Sequence, residues 1–395
     1  MFERVYNQLI KERLNEPRKF IQIVTGPRQV GKTTAVIQAL KSQKTPYLFF
    51  SADEVPVSQR EWIAGCWENA RMRLRSEKLD SFILVIDEIQ KIHGWSEVVK
   101  KMWDEDSRLD TNIKVLLLGS SRVLLEKGLA DSLMGRFEII KMPHWSFGEM
   151  HDAFGFTLEQ YVYFGAYPAV AEFIGNEERW GEYIRSAIID ATINKDVLAD
   201  AVVSKPALLR QTFELASAYS GDIVSLTKMI GQLQDAGNTT TLSSYLQLLD
   251  ESGLVCGLQK FSPEKLRQRA SIPKYQVYNN ALKSIYCRAS FKEAQSDHKL
   301  WGHLFESAIG CHVVNSAFSY HFQPFYWREG NNEVDFVLKN GEKVVGIEVK
   351  SNFEKYTTGL ADFRERFSPC SAFVVGYEGV PATDFLNSDL RLLLK

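Results

Sequence analysis

The chain has 395 residues, of which 45% are apolar and 24% charged, with a formal net charge of -2. That length suggests two or three domains, and a composition this close to the globular average sets disordered and fibrous classes aside. A global positive field is excluded as well, so any nucleic-acid binding has to rest on local basic patches. The five cysteines, Cys66, Cys256, Cys287, Cys311 and Cys370, are scattered without metal-ligand spacing and read as reduced thiols. The first twenty residues lack the apolar core of a signal peptide, and no run approaches the roughly 18 apolar residues that span a bilayer, so a cytoplasmic protein without membrane partners is expected.

The first strong signal follows the apolar run "FIQIV". Residues 26–33 read "GPRQVGKT", which satisfies G-x-x-x-x-G-K-[ST] at every position between a strand-like and a helix-like segment. Several backbone N–H groups must converge on the oxygens of a triphosphate, and glycines let the chain wrap that closely before a helix N-terminus adds free donors. Gly26, Pro27, Arg28, Gln29, Val30, Gly31, Lys32, Thr33 and Thr34 are therefore the expected triphosphate cradle. Lys32 would reach the terminal phosphates, and the Thr33 hydroxyl would ligate Mg2+.

"SFILVIDEIQKI", residues 81–92, is an apolar run without alternation, as expected of a strand buried on both faces of a parallel sheet. It ends in two acids. Asp87 is placed to hold Mg2+ and Glu88 to polarise the attacking water; capping of the next helix is the plainer use of such a pair. "YLFFS" at 47–51, "IKVLLLGSS" at 113–121 and "FEIIKM" at 137–142 complete a doubly wound α/β sheet with ligands at the carboxyl ends of its strands. Ser120 and Ser121 end the strand expected between the two phosphate-binding strands. Either is a candidate for sensing the terminal phosphate or positioning water, and equally for capping "RVLLEKGL". Arg136 is the first candidate for a charge-neutralising arginine, acting within the chain or across a homo-oligomer boundary, with Arg28 and Arg122 behind it.

In this order, "GPRQVGKTT", "VIDEIQ", "LLLGSS", "LMGRFE" and "WSFGEM" resemble the AAA-type ATPases of bacteria and archaea that carry a long C-terminal domain of uncharacterised function. "FGAYPAV" at 164–170 and "YIRSAIIDATINKDV" at 183–197 are similar to that family's next landmarks; Met134 departs from the small residue usual there. The resemblance covers nearly the whole chain and implies ATP as the nucleotide.

The expected domains are an ATPase core at 1–150, a helical connector at 151–205, a winged helix-turn-helix at 206–275 and a nuclease-like domain at 276–395. In the connector, Tyr183, Ile184, Ala187, Ile188 and Ala191 form one helical face. Three short helices and a strand-like "VCGLQKF" make up the winged helix, the third helix beginning near the threonines at 239–241. Its reading helix offers Ser243, Ser244, Gln247 and Asp250 but no basic residue, thin equipment for base readout. The loop that follows it carries Lys260, Lys265, Arg267, Arg269 and Lys274 against the single acid Glu264, and is the expected DNA contact through phosphates.

"REGNNEVDFVLKNGEKVVGIEVKS" places Asn340-Gly341 between two alternating runs, a hairpin signal. With Lys339 opposite Glu342, Asp335 would face Gly346, and Asp335, Glu348 and Lys350 would share one face of the hairpin, the two acids as diagonal neighbours. Polar residues on a half-exposed hairpin face need no function. This arrangement nevertheless resembles the restriction-endonuclease-like PD-(D/E)XK fold, with Glu306 matching its helical acid. The resemblance implies Mg2+ held by Glu306, Asp335 and Glu348, with Lys350 steadying a water or the developing charge in phosphodiester hydrolysis. Two functions stay open: an ATPase whose turnover drives or controls an action on DNA, and a nucleotide-dependent signalling switch whose C-terminal domain only binds.

Overall fold

The structure is a computed structural model describing residues 2–120, 132–198, 203–234, 238–264, 268, 271–352 and 358–395. It divides into two units, residues 1–142 and 143–395.

In the first unit five strands form a parallel sheet: β1 (Ile21–Thr25), β2 (Tyr47–Ser51), β3 (Phe82–Asp87), β4 (Ile113–Gly119) and β5 (Phe137–Lys141). Their order is β2-β3-β4-β1-β5. Around them stand α1 (Val5–Asn15), α2 (Lys32–Lys41), α3 (Glu61–Ser76) and α4 (Trp95–Arg108). The unbroken apolar runs are explained by two separate cores. Because side chains alternate along a strand, Ile83 and Val85 of β3 pack with Ile10 of α1 and Val36 of α2, while Leu84 and Ile86 pack with Trp67 of α3 and Val99 of α4. Each of these side chains is fully buried, which contributes about 1.5–3 kcal/mol apiece. Between α3 and α4 a buried polar cluster sets the packing. Asp106 accepts from Trp67 Nε1 at 2.6 Å and from Arg71 Nε at 2.7 Å.

This order puts β4 between β1 and β3, as expected, so the carboxyl ends of all three open at one edge: Thr25 lies opposite Gly119, and Asp87 closes β3.

The second unit begins with α5 (Phe147–Phe154) and α6 (Leu158–Phe164), each opened by a capping box, at Ser146 with Glu149 and at Thr157 with Gln160. Next comes α7 (Glu177–Glu182), which runs on as π-helical turns at Tyr183–Asp190 and Ile193–Val197. The looser i→i+5 winding shifts the buried face from the one expected. Ile184, Ile188, Ile189, Ile193 and Val197 are buried, whereas Ala187 and Ala191 are only partly so.

Three helices then follow, α8 (Pro206–Ala218), α9 (Leu226–Ile230) and α10 (Thr239–Glu251), and after them the antiparallel pair β6 (Val255–Lys260) and β7 (Lys274–Val277). The cap of α10 is Asn238, which accepts from Thr241 N at 2.9 Å, rather than one of the threonines. After α11 (Ala281–Ser284), α12 (Phe291–Ser296) and the long α13 (His298–Tyr320), the chain builds β8 (Gln323–Glu329), β9 (Asn332–Asn340), β10 (Lys343–Lys350), α14 (Gly359–Arg366), β11 (Ser371–Gly376) and α15 (Ala382–Leu386). All six described strands of this unit join one sheet, in the order β11-β10-β9-β8-β6-β7. The expected border between residues 275 and 276 thus falls inside β7, whose hairpin continues the C-terminal sheet.

The β9–β10 hairpin differs from expectation in its register. Asn340 pairs with Lys343 and Gly346 with Val337, so Gly346 does not face Asp335. A shift of two residues would by itself keep every side chain on its face, but the register against β8 slips between Val337 and Val334, and this bulge brings both valines into one core and interrupts the alternation beside Asp335. The turn moves to Gly341-Glu342, with Gly341 at φ +58°. Gly346 makes room for a ring rather than for Asp335, since a Cβ there would come within 2.9 Å of Phe363 on α14.

Candidate functional site

The cradle lies where β1 turns into α2. A Cβ on Gly26 would stand 2.0 Å from the carbonyl oxygen of Met142, and Gly31 takes φ +84° at the N-cap of α2, a left-handed conformation that glycine adopts without strain. Val30 is buried, Pro27 and Arg28 are partly buried, and Gln29 and Thr34 are exposed along the loop and the first turn. Arg28 is near enough to Asp53 to lower that carboxyl's proton affinity, although Asp53 owes most of its downward shift to a hydrogen bond from Lys91. From α1's N-cap, Arg4 donates to Val30 O at 3.1 Å and braces the loop.

Lys32 is buried and its ammonium donates to Gly26 O at 2.9 Å and Pro27 O at 2.8 Å. A buried cation thereby lies at the mouth of the loop, held by two of its carbonyls. Thr33 Oγ1 donates to Asp87 Oδ2 at 2.7 Å, so the two expected Mg2+ ligands already touch. Both offer oxygen, the donor type that Mg2+ takes, and the residues present fit the ion. Burial, and less so the neighbouring Glu88, pushes the Asp87 carboxyl up, while hydrogen bonds from Thr33 and the backbone of Glu88 oppose the shift. A divalent cation would reverse it.

Glu88 sits at φ +52°, a backbone conformation uncommon outside glycine, which turns its carboxylate off the line of β3. Its Oε2 accepts from Gln90 Nε2 at 2.6 Å and from Ser120 Oγ at 3.0 Å. Of the two serines considered, Ser120 therefore meets the carboxylate of Glu88; Ser121 and Arg122 lie outside the described residues. Gln90 was not foreseen. Its place in "DEIQ", two residues past the acid, was the available signal.

Arg136, the expected charge-neutralising arginine, is paired on the surface of its own unit. Its Nε and Nη2 hold the Asp104 carboxylate at 2.7 Å and 3.1 Å, and Nη1 donates to Met134 O at 3.2 Å. The planar guanidinium matches a carboxylate with two parallel bonds, which explains the capture.

In the second unit, two of the predicted acids, Glu306 and Asp335, flank a group that sequence reasoning had placed elsewhere. Lys274 was expected on a basic loop facing DNA. As the first residue of β7 it is fully buried, with Nζ 2.7 Å from Glu306 Oε1, 3.4 Å from Asp335 Oδ1 and 3.6 Å from Glu333 Oε1. The Glu306 contact is the shortest of the three ion pairs. Burial alone would favour the neutral amine, but the carboxylates of Glu306, Asp335 and Glu333 outweigh it and raise the pKa, so Lys274 stays charged. Asp335 Oδ2 accepts the Val349 N–H at 2.7 Å. Lys350 Nζ pairs with Glu348 Oε1 at 3.3 Å. Among the described residues, no group of three or more His, Cys, Asp or Glu side chains is placed to hold a metal ion. Lys260, the other described base of the loop, pairs with Glu329 at 3.1 Å; Lys265, Arg267 and Arg269 lie outside the described residues. No described helix is long and apolar enough to cross a membrane.

Residues 18–151 match the family model of an AAA domain, and two domains of unknown function match residues 155–291 and 301–386. An uncharacterized protein of Haemophilus influenzae is 23% identical over 354 residues, covering 84% of this chain and 82% of its own. One from Methanocaldococcus jannaschii is 21% identical, covering 80% and 72%. Among solved structures, the ORC2 protein of Aeropyrum pernix in its ADPNP and ADP complexes superposes with a TM-score of 0.43 at 13% identity, over 64% of this chain and 85% of that one. DnaA of Aquifex aeolicus bound to AMPPCP gives a TM-score of 0.32 at 15% identity, over 64% and 90%. Matched to the AAA model and carrying the loop, the lysine and the paired acids at the carboxyl ends of a parallel sheet, the first unit is a P-loop ATPase core.

Proposed function

We propose that the chain hydrolyses ATP with Mg2+ and that turnover controls what the second unit binds. The observation that carries the catalytic part is the convergence at one sheet edge of Lys32, the Thr33–Asp87 pair and Glu88, whose carboxylate Ser120 and Gln90 hold. The loop amides and the N-terminus of α2 bind the phosphates, and Lys32 leaves Gly26 and Pro27 for the terminal phosphate oxygens. Thr33 and Asp87 would hold Mg2+, which supplies charge neutralisation across the terminal phosphates. Glu88 orients a water and accepts its proton as the water oxygen attacks the terminal phosphorus, the bond to the bridging oxygen breaks, and ADP and phosphate leave.

DNA is the ligand we put forward for the second unit. Three helices and a hairpin at 206–277, followed by α13, β9 and β10, occur in the order of a winged helix and a nuclease-like fold. A second reading, a switch that binds a protein, is favoured by one observation: Lys260 and Lys274 are already paired with acids.

The test is ATP turnover by wild type, Lys32→Ala and Glu88→Gln, with and without DNA, over a range of salt. Both variants should lose turnover. Stimulation by DNA that fades steeply with salt supports the first reading. Turnover indifferent to DNA supports the second, and turnover that persists in both variants removes the proposal.

A further inference from the structure

The nuclease resemblance calls for a divalent cation among Glu306, Asp335 and Glu348, and the side chains there do not fit one. Mg2+ asks for oxygen ligands at about 2.0–2.1 Å in near-octahedral array. The space between Glu306 and Asp335 instead holds the Lys274 ammonium, 2.7 Å from the first carboxylate and 3.4 Å from the second. Both oxygens of Asp335 are committed, Oδ1 to Lys274 and Oδ2 to the backbone N–H of Val349. Glu348 is drawn to Lys350. A second buried lysine, Lys283, acts electrostatically on Glu306 from α11, its Nζ donating to His303 O at 3.2 Å.

Lys274 cannot readily withdraw. It belongs to β7, where its backbone pairs with Leu258 and bridges Ile223, and its side chain has no exposed surface. The Phe336 ring, centred 5.1 Å from Nζ, covers the ammonium on another side. A lysine delivered by one edge strand and gripped by acids from α13 and β9 also joins the hairpin to the rest of the sheet.

We propose that Lys274 is the resident cation of this site: its ammonium takes the place a catalytic divalent metal would need, and the nuclease-like fold binds its ligand without cutting it. The inference goes beyond ATP hydrolysis and stands or falls without it.

The first measurement is the number of Mn2+ ions bound by nucleotide-free full-length protein, in wild type and in Asp335→Asn. Equal numbers are expected, because any Mn2+ held at Asp87 contributes to both. One more ion in wild type would overturn the proposal, as would Mn2+- or Mg2+-dependent DNA cleavage that Asp335→Asn abolishes. The second is Lys274→Met, which empties the place and should create a Mn2+ site that disappears in Lys274→Met/Asp335→Asn. A well-folded Lys274→Met protein that gains no Mn2+ would likewise overturn it. Should Lys274→Met fail to fold, the comparison of wild type with Asp335→Asn decides alone.

Discussion

Replacing Glu88 by glutamine separates its chemical role from its structural one. The amide keeps the volume and one oxygen, so Gln90 Nε2 and Ser120 Oγ, now 2.6 Å and 3.0 Å from Oε2, retain an acceptor. Each bond falls from about 1.5–3 kcal/mol, its strength to a charged group, to about 0.5–1.5 kcal/mol, and the folded state loses about 1–3 kcal/mol in all. The amide cannot take a proton from water. Loss of the base should lower kcat by roughly 10²- to 10⁴-fold, equivalent to about 3–5 kcal/mol of barrier, with little change in nucleotide affinity. Single-turnover ATP hydrolysis at saturating Mg2+ and protein, beside direct nucleotide titration, reads both quantities. A folded Glu88→Gln protein that binds ATP and turns it over within about threefold of wild type would refute the assignment of Glu88 as the base.

Gln90→Leu removes one of the two bonds on Glu88 and should cost roughly two- to tenfold in kcat with KM unchanged, the equivalent of one hydrogen bond of about 1 kcal/mol, read by the same kinetics. Asp106→Ala should destabilise the first unit by about 1–3 kcal/mol in chemical denaturation, because Trp67 loses its acceptor and Arg71 its fully buried partner while keeping Glu68 and Glu105; Asp106→Asn, which keeps an acceptor, should cost less. His312, packed against the Phe385 ring, has its pKa lowered by burial to about 4, a shift that a backbone hydrogen bond at Ser388 only partly opposes. The unfolded chain, with an ordinary imidazole near 6.5, takes up the proton first, so stability is full above that value and is lost as pH falls toward 4. Between pH 7 and 5 the loss should be about 2 kcal/mol, and His312→Gln should flatten it when denaturation midpoints are compared at the two pH values.

The nucleotide site was legible because its chemistry is local. A phosphate cradle needs its glycines, lysine and threonine within eight residues, and a strand buried on both faces has to be apolar at every position, so the roles we propose for residues 26–33 and 81–88 could be read without a partner. The β9–β10 hairpin was legible from Asn340-Gly341 and the alternation around it, but the faces of β9 were not, because a bulge between Val334 and Val337 interrupts that alternation. Other features depended on meetings across the chain. Arg136 became the partner of Asp104, 32 residues away, and Lys274 the partner of Glu306 and Asp335, because a long cationic side chain is satisfied by whichever carboxylate the fold brings within reach. Nothing near Lys274 in "RQRASIPK" distinguishes a buried lysine from a solvated one. The sequence by itself determined the P-loop ATPase core, since its demands act over a few bonds. Only the tertiary structure decided which charges remain for a ligand, since burial and pairing are properties of what the rest of the chain packs around them.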